Sequence, residues 1–181
     1  MSIKKRYELL TSRVDYDRDT GSFVWRRVDG MPRMWITKHA GMQAGTVDAK
    51  GRVVLHVLMD KKTYRVFAHR LAWFIVHGAL PDHGLDHIDG NPLNHAISNL
   101  RDVTASVNMR NVSRYKRNTS GFCGVSWRKA DKRWDARAMV GGRMHNLGKY
   151  ADIEDAAAAV RAFRTAKGFT ERHGEPPPDK R

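Results

Sequence analysis

The sequence predicts an α+β protein: a β-rich N-terminal part packed on a small strand–loop–strand–helix unit, a basic linker, then a three-stranded antiparallel sheet with one helix. Three observations predict it. Gln43 to Phe67 is β-rich and broken by turns at Asp48 to Gly51 and Asp60 to Lys62. HRLAWFIV, His69 to Val76, is apolar nearly all round, which marks a short buried helix. Beyond Gly121, Val125 and Trp127, Trp134 with Ala136 and Ala138, and Leu147 recur at every second position, the period of strands with one buried face.

Each element has its own signal. The chain begins with a short amphipathic helix carrying Ile3, Tyr7, Leu10 and Val14 on one stripe. A turn at Asp17 to Gly21 leads to the strand Ser22 to Arg26, then to the β-rich stretch and the buried helix. A further helix starts near Thr104, a suitable N-cap, so that positions 104, 108 and 111 share a face. Arg110 to Gly121, RNVSRYKRNTSG, is basic and turn-rich and reads as a segment tracking a phosphate backbone or as a solvated tether. The three strands that follow turn at Ala130 to Lys132 and at Gly141-Gly142. A last helix is opened by Asp152 and closed by Gly168, with Ile153, Ala156, Val160 and Phe163 inward. The expected domains are 1–111, a linker 112–120, a small domain 121–168 and a disordered tail 169–181.

Composition narrows the partner. The 181 residues carry a net charge of +14, which suits a polyanion. The charge is uneven: Arg101 to Lys149 holds twelve Lys or Arg against three acidic residues. Cys123 is the only cysteine, which excludes an intramolecular disulfide and a cysteine-built zinc site. Of the nine histidines, His39, His56, His69, His77, His83, His145 and His173 show no ligand spacing, and His69 and His77 read as packing or phosphate-facing residues. No stretch is long and apolar enough to span a membrane, and the N-terminus lacks a signal peptide's apolar run, so a soluble, cytoplasmic protein is expected.

The chemistry concentrates in LDHIDGNPLNHAISNLRDVTASVN, Leu85 to Asn108. Phosphodiester cleavage at one metal needs a hard cation gripped by a carboxylate and a carbonyl-type oxygen, with an imidazole to take a proton from water. Asp86 and Asn108 can supply the oxygens, His87 the base, and the Asn91 to Asn99 loop the scaffold. Strand neighbours point to opposite faces, so Asp86 and His87 must sit at a strand end, where the Asp89-Gly90-Asn91 turn breaks the alternation. An Asp-Asn pair completed by water and phosphate oxygens suits one Mg or one Mn ion equally.

With AHRLAW (Ala68 to Trp73), DHIDGN (Asp86 to Asn91), ISNLRDVT (Ile97 to Thr104) and NMRN (Asn108 to Asn111), the chain resembles the HNH, or ββα-metal, endonucleases of phages, prophages and mobile introns. The resemblance implies that His87 is the general base, Asp86 and Asn108 hold the metal, and Asn99 pins the loop between two short strands. It also implies double-stranded DNA as substrate, nicked or cut to leave a 5′ phosphate, in a phage- or prophage-encoded protein acting in a bacterial host. Asn111 reads as a phosphate or structural contact. One departure stands out: where relatives often carry a paired Asn-Asn or Asn-Arg, this chain has Asn94, His95 and Ala96, and the resemblance assigns His95 no role. The rival reading is a DNA-binding regulator or packaging accessory that keeps only the fold.

The segment Gly121 to Gly168 resembles the DNA-binding domain of plant ethylene-response factors, the APETALA type, whose exposed sheet face enters the major groove. Alternation puts Ser126, Arg128, Asp135, Arg137, Met139, Met144 and Asn146 outward. Arg128 and Arg137, with Arg143 behind them, are the expected readers of bases, since Arg grips guanine O6 and N7 bidentately. Arg110, Arg114, Lys116 and Arg117 are the expected phosphate contacts. The plainer alternative is a solvated charged face.

Overall fold

The computed structural model describes residues 2–112, 114 and 117–176. Lys116 and the last part of the expected tail, 177–181, lie outside the described residues. The fold is mixed α+β, built from small antiparallel sheets and helices, and it divides into two compact units between Val103 and Thr104. No helix among the described residues is long and apolar enough to cross a membrane.

The first unit opens with α1 (Ile3–Thr11), capped where Ser2 Oγ accepts from Lys4 N. Tyr7 and Leu10 are buried, whereas Ile3 is exposed. Val14 reaches the same core from the next element, because the helix ends at Thr11. The strands β1 (Val14–Tyr16) and β2 (Phe23–Trp25) pair as a hairpin. A helix that the sequence reading did not predict follows, α2 (Arg33–His39), with no buried residue and hence no apolar stripe to announce it. The strands β3 (Thr46–Val47), β4 (Val53–Met59) and β5 (Lys62–Phe67) form one antiparallel sheet. Asp60 and Lys61 turn β4 into β5 with φ of 51° and 60°, the two left-handed residues a tight hairpin turn requires. Then α3 (Ala68–His77) buries Ala68, Leu71, Ala72 and Phe74 and ends at left-handed Gly78.

Packed on this part is the antiparallel pair β6 (Gly84–His87) and β7 (Leu100–Val103). Leu100 joins Leu10, Val14, Phe23, Leu55 and Leu71 in one core. The loop between β6 and β7 is held from the N-terminal hairpin. Tyr16 Oη donates to His95 O at 2.7 Å, and Ile97 N donates to Arg18 O at 2.9 Å. At Gly21, φ is +75° and a Cβ would sit 2.2 Å from Ala96 N and 2.3 Å from His95 C, so no side chain fits there.

The second unit begins with α4 (Ala105–Asn108), N-capped by Thr104, whose Oγ1 accepts from Val107 N. It is one turn long and passes into a 3₁₀ turn at Met109–Asn111, so the helical spacing that put 108 and 111 on a shared face does not hold. The strands β8 (Val125–Arg128), β9 (Arg133–Val140) and β10 (Arg143–Tyr150) form an antiparallel sheet with β9 central. Gly141 and Gly142 make the second turn with positive φ at both, and a bulge between Asn146 and Gly148 interrupts the β9–β10 register. Asp152 caps α5 (Ile153–Ala166) by accepting from Glu154 N at 2.7 Å. Its small Ala156 and Ala157, with Val160, close on Val125 and Ala136.

Three sequence expectations are revised here. The division falls before α4 and not at Asn111, because Arg110, Val112 and Arg114 are bonded to the segment after α5. Thr170 N and Oγ1 donate to Arg110 O, Gly174 N donates to Val112 O, and Arg114 N donates to Glu175 O. By the same bonds the described tail, as far as Pro176, is not structureless. Asp135 faces outward by alternation yet is buried, since it lies on the central strand between Ser126 and Lys149. The Arg137 guanidinium is paired to its Oδ2 at 2.6 Å.

Candidate active site

Asp86 and His87 are the last two residues of β6, at a strand end as the sequence reading expects. Asp86 stands opposite Arg101 on β7, and Arg101 Nε and Nη2 both donate to Asp86 Oδ2, at 3.0 and 2.7 Å. The carboxylate is thus almost fully buried but charge-paired. Sequence reasoning missed Arg101: only the β6–β7 register makes it the cross-strand neighbour, and register is not legible across a loop of unknown shape.

After His87 the chain turns through a loop organised by two side chains. Asn99, itself buried, accepts from Asp89 N at 3.0 Å and donates to Asp89 Oδ1 at 2.9 Å and to Asn94 O at 3.0 Å. Asp89 also accepts from Asn91 N and Asn94 Nδ2. Burial works to raise the Asp89 carboxyl, but these hydrogen bonds and the nearby His87 hold it below the usual carboxylate value.

The structure gathers three imidazoles that the sequence left apart. His69 from α3, His87 from β6 and His95 from the loop have ring centroids 5.3 to 6.4 Å apart. His87 Nε2 and His95 Nδ1 face each other at 3.5 Å. Burial, with the two neighbouring rings adding to it, pushes His69 down to about 3. Burial and His87 push His95 down to about 4. His87 is also lowered by burial, against the pull of Asp89 and Asp86. Burial thus disfavours the charged form of all three rings, and a neutral imidazole can accept a proton. His69 follows Ala68 at the start of an apolar helix, and nothing local in the sequence marks it for this cluster.

The other predicted residues belong to other elements. Asn108 ends α4 in the second unit, and Asn111 is buried there, bonded through Oδ1 to Thr170 Oγ1 at 2.9 Å. His77 lies against Trp73. Arg110 lies by the Phe169 ring, and Arg114 Nη1 donates to Gly121 O, so both serve the fold of their unit. Arg117 and Arg143 are exposed. Arg128 pairs with Asp131 at 3.2 Å. Among the described residues no group of three or more His, Cys, Asp or Glu is arranged to hold a metal ion. What Asp86 offers is one carboxylate, which fits a hard cation that keeps waters and takes phosphate oxygens rather than a closed protein cage.

Residues 66–110, which include Asp86, His87, His95, Asn99 and Asn108, match a family described as HNH endonuclease. Protein 3.8 of Escherichia phage T7 is 35% identical over 121 residues, spanning 64% of this chain and 95% of that protein. A solved structure of DNA binding and cleavage by the HNH homing endonuclease I-HmuI is 22% identical, with a TM-score of 0.39. That match covers 55% of this chain and 51% of the other.

Proposed function

This chain belongs to the family of phage T7 protein 3.8 and carries an HNH endonuclease domain, and we propose on that premise that it is a divalent-metal-dependent endonuclease acting on double-stranded DNA. The observation that carries the reading is the end of β6, where the imidazole of His87 adjoins the buried carboxylate of Asp86. A Mg or Mn ion at Asp86 would neutralise charge on the scissile phosphate and stabilise the departing 3′ oxygen. His87 takes the proton of the attacking water. Arg101 holds Asp86 in place, and Asn99 holds the loop that follows. Asn108 is the second oxygen ligand by its place in the motif, an assignment made from sequence order.

The second unit is the proposed DNA-reading element, supported by its three strands and one helix, the pattern of the ethylene-response-factor domain. Arg128, Arg137 and Arg143 are its candidate base contacts. Arg110, Arg114, Lys116 and Arg117 are its candidate phosphate contacts. The net charge of +14 supplies attraction independent of sequence.

A supercoiled-plasmid assay with Mg or Mn, with and without chelator, tests the reading. His87→Ala should lower cleavage by about 10² to 10⁴ while leaving DNA affinity nearly intact. Asp86→Ala and Asn108→Ala should remove the metal response. Binding without cleavage by the wild-type protein in either metal would leave the rival, a regulator or packaging accessory that keeps only the fold; the occupation of Asp86 by Arg101 is the observation on its side.

A further inference from the structure

The first unit carries a groove that the proposed reaction does not use. It lies between α2 and the open face of the β4–β5 sheet and measures about 620 Å³, within the range of about 300 to 1,000 Å³ usual for ligand sites. It exists because α2 does not close on the sheet. The helix buries no side chain, while His56 and Leu58 of β4 and Thr63 of β5 stay exposed. Trp25 at the end of β2 and Trp35 on α2 form one wall, edge to face with ring centroids 5.5 Å apart. The chain after α2 fixes that wall, since Gly41 N donates to Trp25 O and Trp25 N donates to Met42 O. Among the described residues no acidic side chain lines the groove. The Arg13 guanidinium, the Gln43 amide and the His56 imidazole all line it, and none makes a hydrogen bond or ion pair among the described residues.

We propose that this groove binds an unpaired nucleotide of single-stranded DNA, with the base stacked on the Trp25–Trp35 wall and a phosphate at Arg13. The proposal rests on the nuclease reading for its choice of DNA as the polymer. Charge decides the class of occupant. An apolar peptide would fill the groove but leave Arg13 without a counter-charge, in a lining that has no acidic side chain among the described residues. A nucleotide supplies a flat ring, an anion, and base-edge acceptors for the Gln43 amide and the His56 imidazole. Arg13 directly precedes the Val14–Trp25 strand pair, so cation and indole belong to one corner of the groove. Base pairing decides the rest. In a duplex both faces of each base are covered by its neighbours, and the ring cannot reach an indole set inside a groove. An unpaired base can splay out and stack, whatever its identity, because every base has a π-face. An edge-to-face contact occupies the face of one indole and the edge of the other. The two half-buried tryptophans therefore keep ring face for such a guest. Groove and β6 lie in the same compact unit, so a strand frayed or displaced at the cleavage point is the natural source of that nucleotide.

The test uses the full-length protein in chelator, where binding is read without cleavage. Fluorescence anisotropy follows two labelled ligands, an oligodeoxythymidylate and a hairpin duplex of matched length. Trp35→Ala should weaken binding of the single strand about 5- to 100-fold, the usual effect of removing one stacking ring, and leave the duplex nearly unchanged. Because α2 buries nothing, this variant keeps the fold, and Trp35→Phe, which retains a ring, should recover most of the affinity. Arg13→Gln should weaken the single strand as well and flatten its salt dependence. Ultraviolet cross-linking with 5-iodouracil in the strand should place the adduct on Trp25 or Trp35. Wild-type single-strand affinity in Trp35→Ala, or an equal loss on both ligands, overturns the proposal, as does an adduct confined to residues outside the groove. A dimer in sedimentation that Trp35→Ala dissociates assigns the groove to a second copy of the chain and overturns it too. A wild-type protein that binds the strand through Trp35 yet never cleaves plasmid with Mg or Mn sinks the nuclease reading alone.

Discussion

At the scale of single residues, the imidazole cluster ties stability to pH. The folded protein refuses protons at His69 and His95, held at about 3 and about 4, while the unfolded chain binds them near the ordinary value of 6.5. Below that value the unfolded state carries more protons, so stability falls with falling pH from about 6.5 toward 4. The depressed Asp89 carboxyl adds a loss of the same sign at lower pH. Melting temperatures recorded between pH 7 and pH 4 should fall accordingly, and His69→Phe, which keeps a ring stacked on Phe67, should flatten the fall. A pH-independent melt would show that the rings are not buried as described. Asn99→Ala acts differently. It strips Asp89 N and Asn94 O of their partner in a half-buried loop, a loss of about 1 to 3 kcal/mol. Calorimetry should therefore register a lower melting temperature without metal. A normal melt with a shifted metal response would make Asn99 a ligand.

Among elements, β9 carries a coupling that alters how its arginine is to be tested. Arg137 is the partner of Asp135, whose carboxylate is buried and whose Oδ1 has no hydrogen-bond partner among the described residues. Arg137→Ala leaves that charge uncompensated and should cost about 1 to 3 kcal/mol, less than a fully buried pair because Arg137 is half exposed. Adding Asp135→Ala should recover much of the loss in a double-mutant cycle. Additive losses would mean that the pair is not coupled, and only against this baseline does a change in base preference speak of reading. The same strand shows what a sequence discloses. Alternation located β9 and its inward Trp134, Ala136 and Ala138, because one face packs on α5 and leaves a period of two. It placed Asp135 on the right face but could not foresee its burial, which depends on neighbours from β8 and β10. The helix α2 was invisible because it buries nothing. The Asp86-His87 pair and Asn99 were legible as a spacing within one segment. Arg101, His69 and the His95 contact were not, since each depends on register or on the meeting of separate elements.

Over the whole molecule, the bonds of Thr170, Gly174 and Glu175 with Arg110, Val112 and Arg114 make the segment after α5 a support for the start of the second unit. Removing residues 169–181 should lower the melting temperature of that unit. If Asn108 is a ligand, the removal should also raise the metal concentration needed for half-maximal cleavage; an unchanged melt would show that those bonds carry no weight. DNA affinity should fall steeply with salt, as release of counterions by a protein of net charge +14 requires. The contact at Gly21 has a consequence of another kind. Ala96 and His95 lie so close that even a methyl group at position 21 collides with their backbone, so Gly21→Ala should cripple cleavage from a turn that bears no site residue. The 66–110 segment is therefore not a portable cassette. Recombination that exchanged it between genes without the matching N-terminal hairpin would deliver a loop cut to the wrong pattern, and the two stretches must be inherited as one unit.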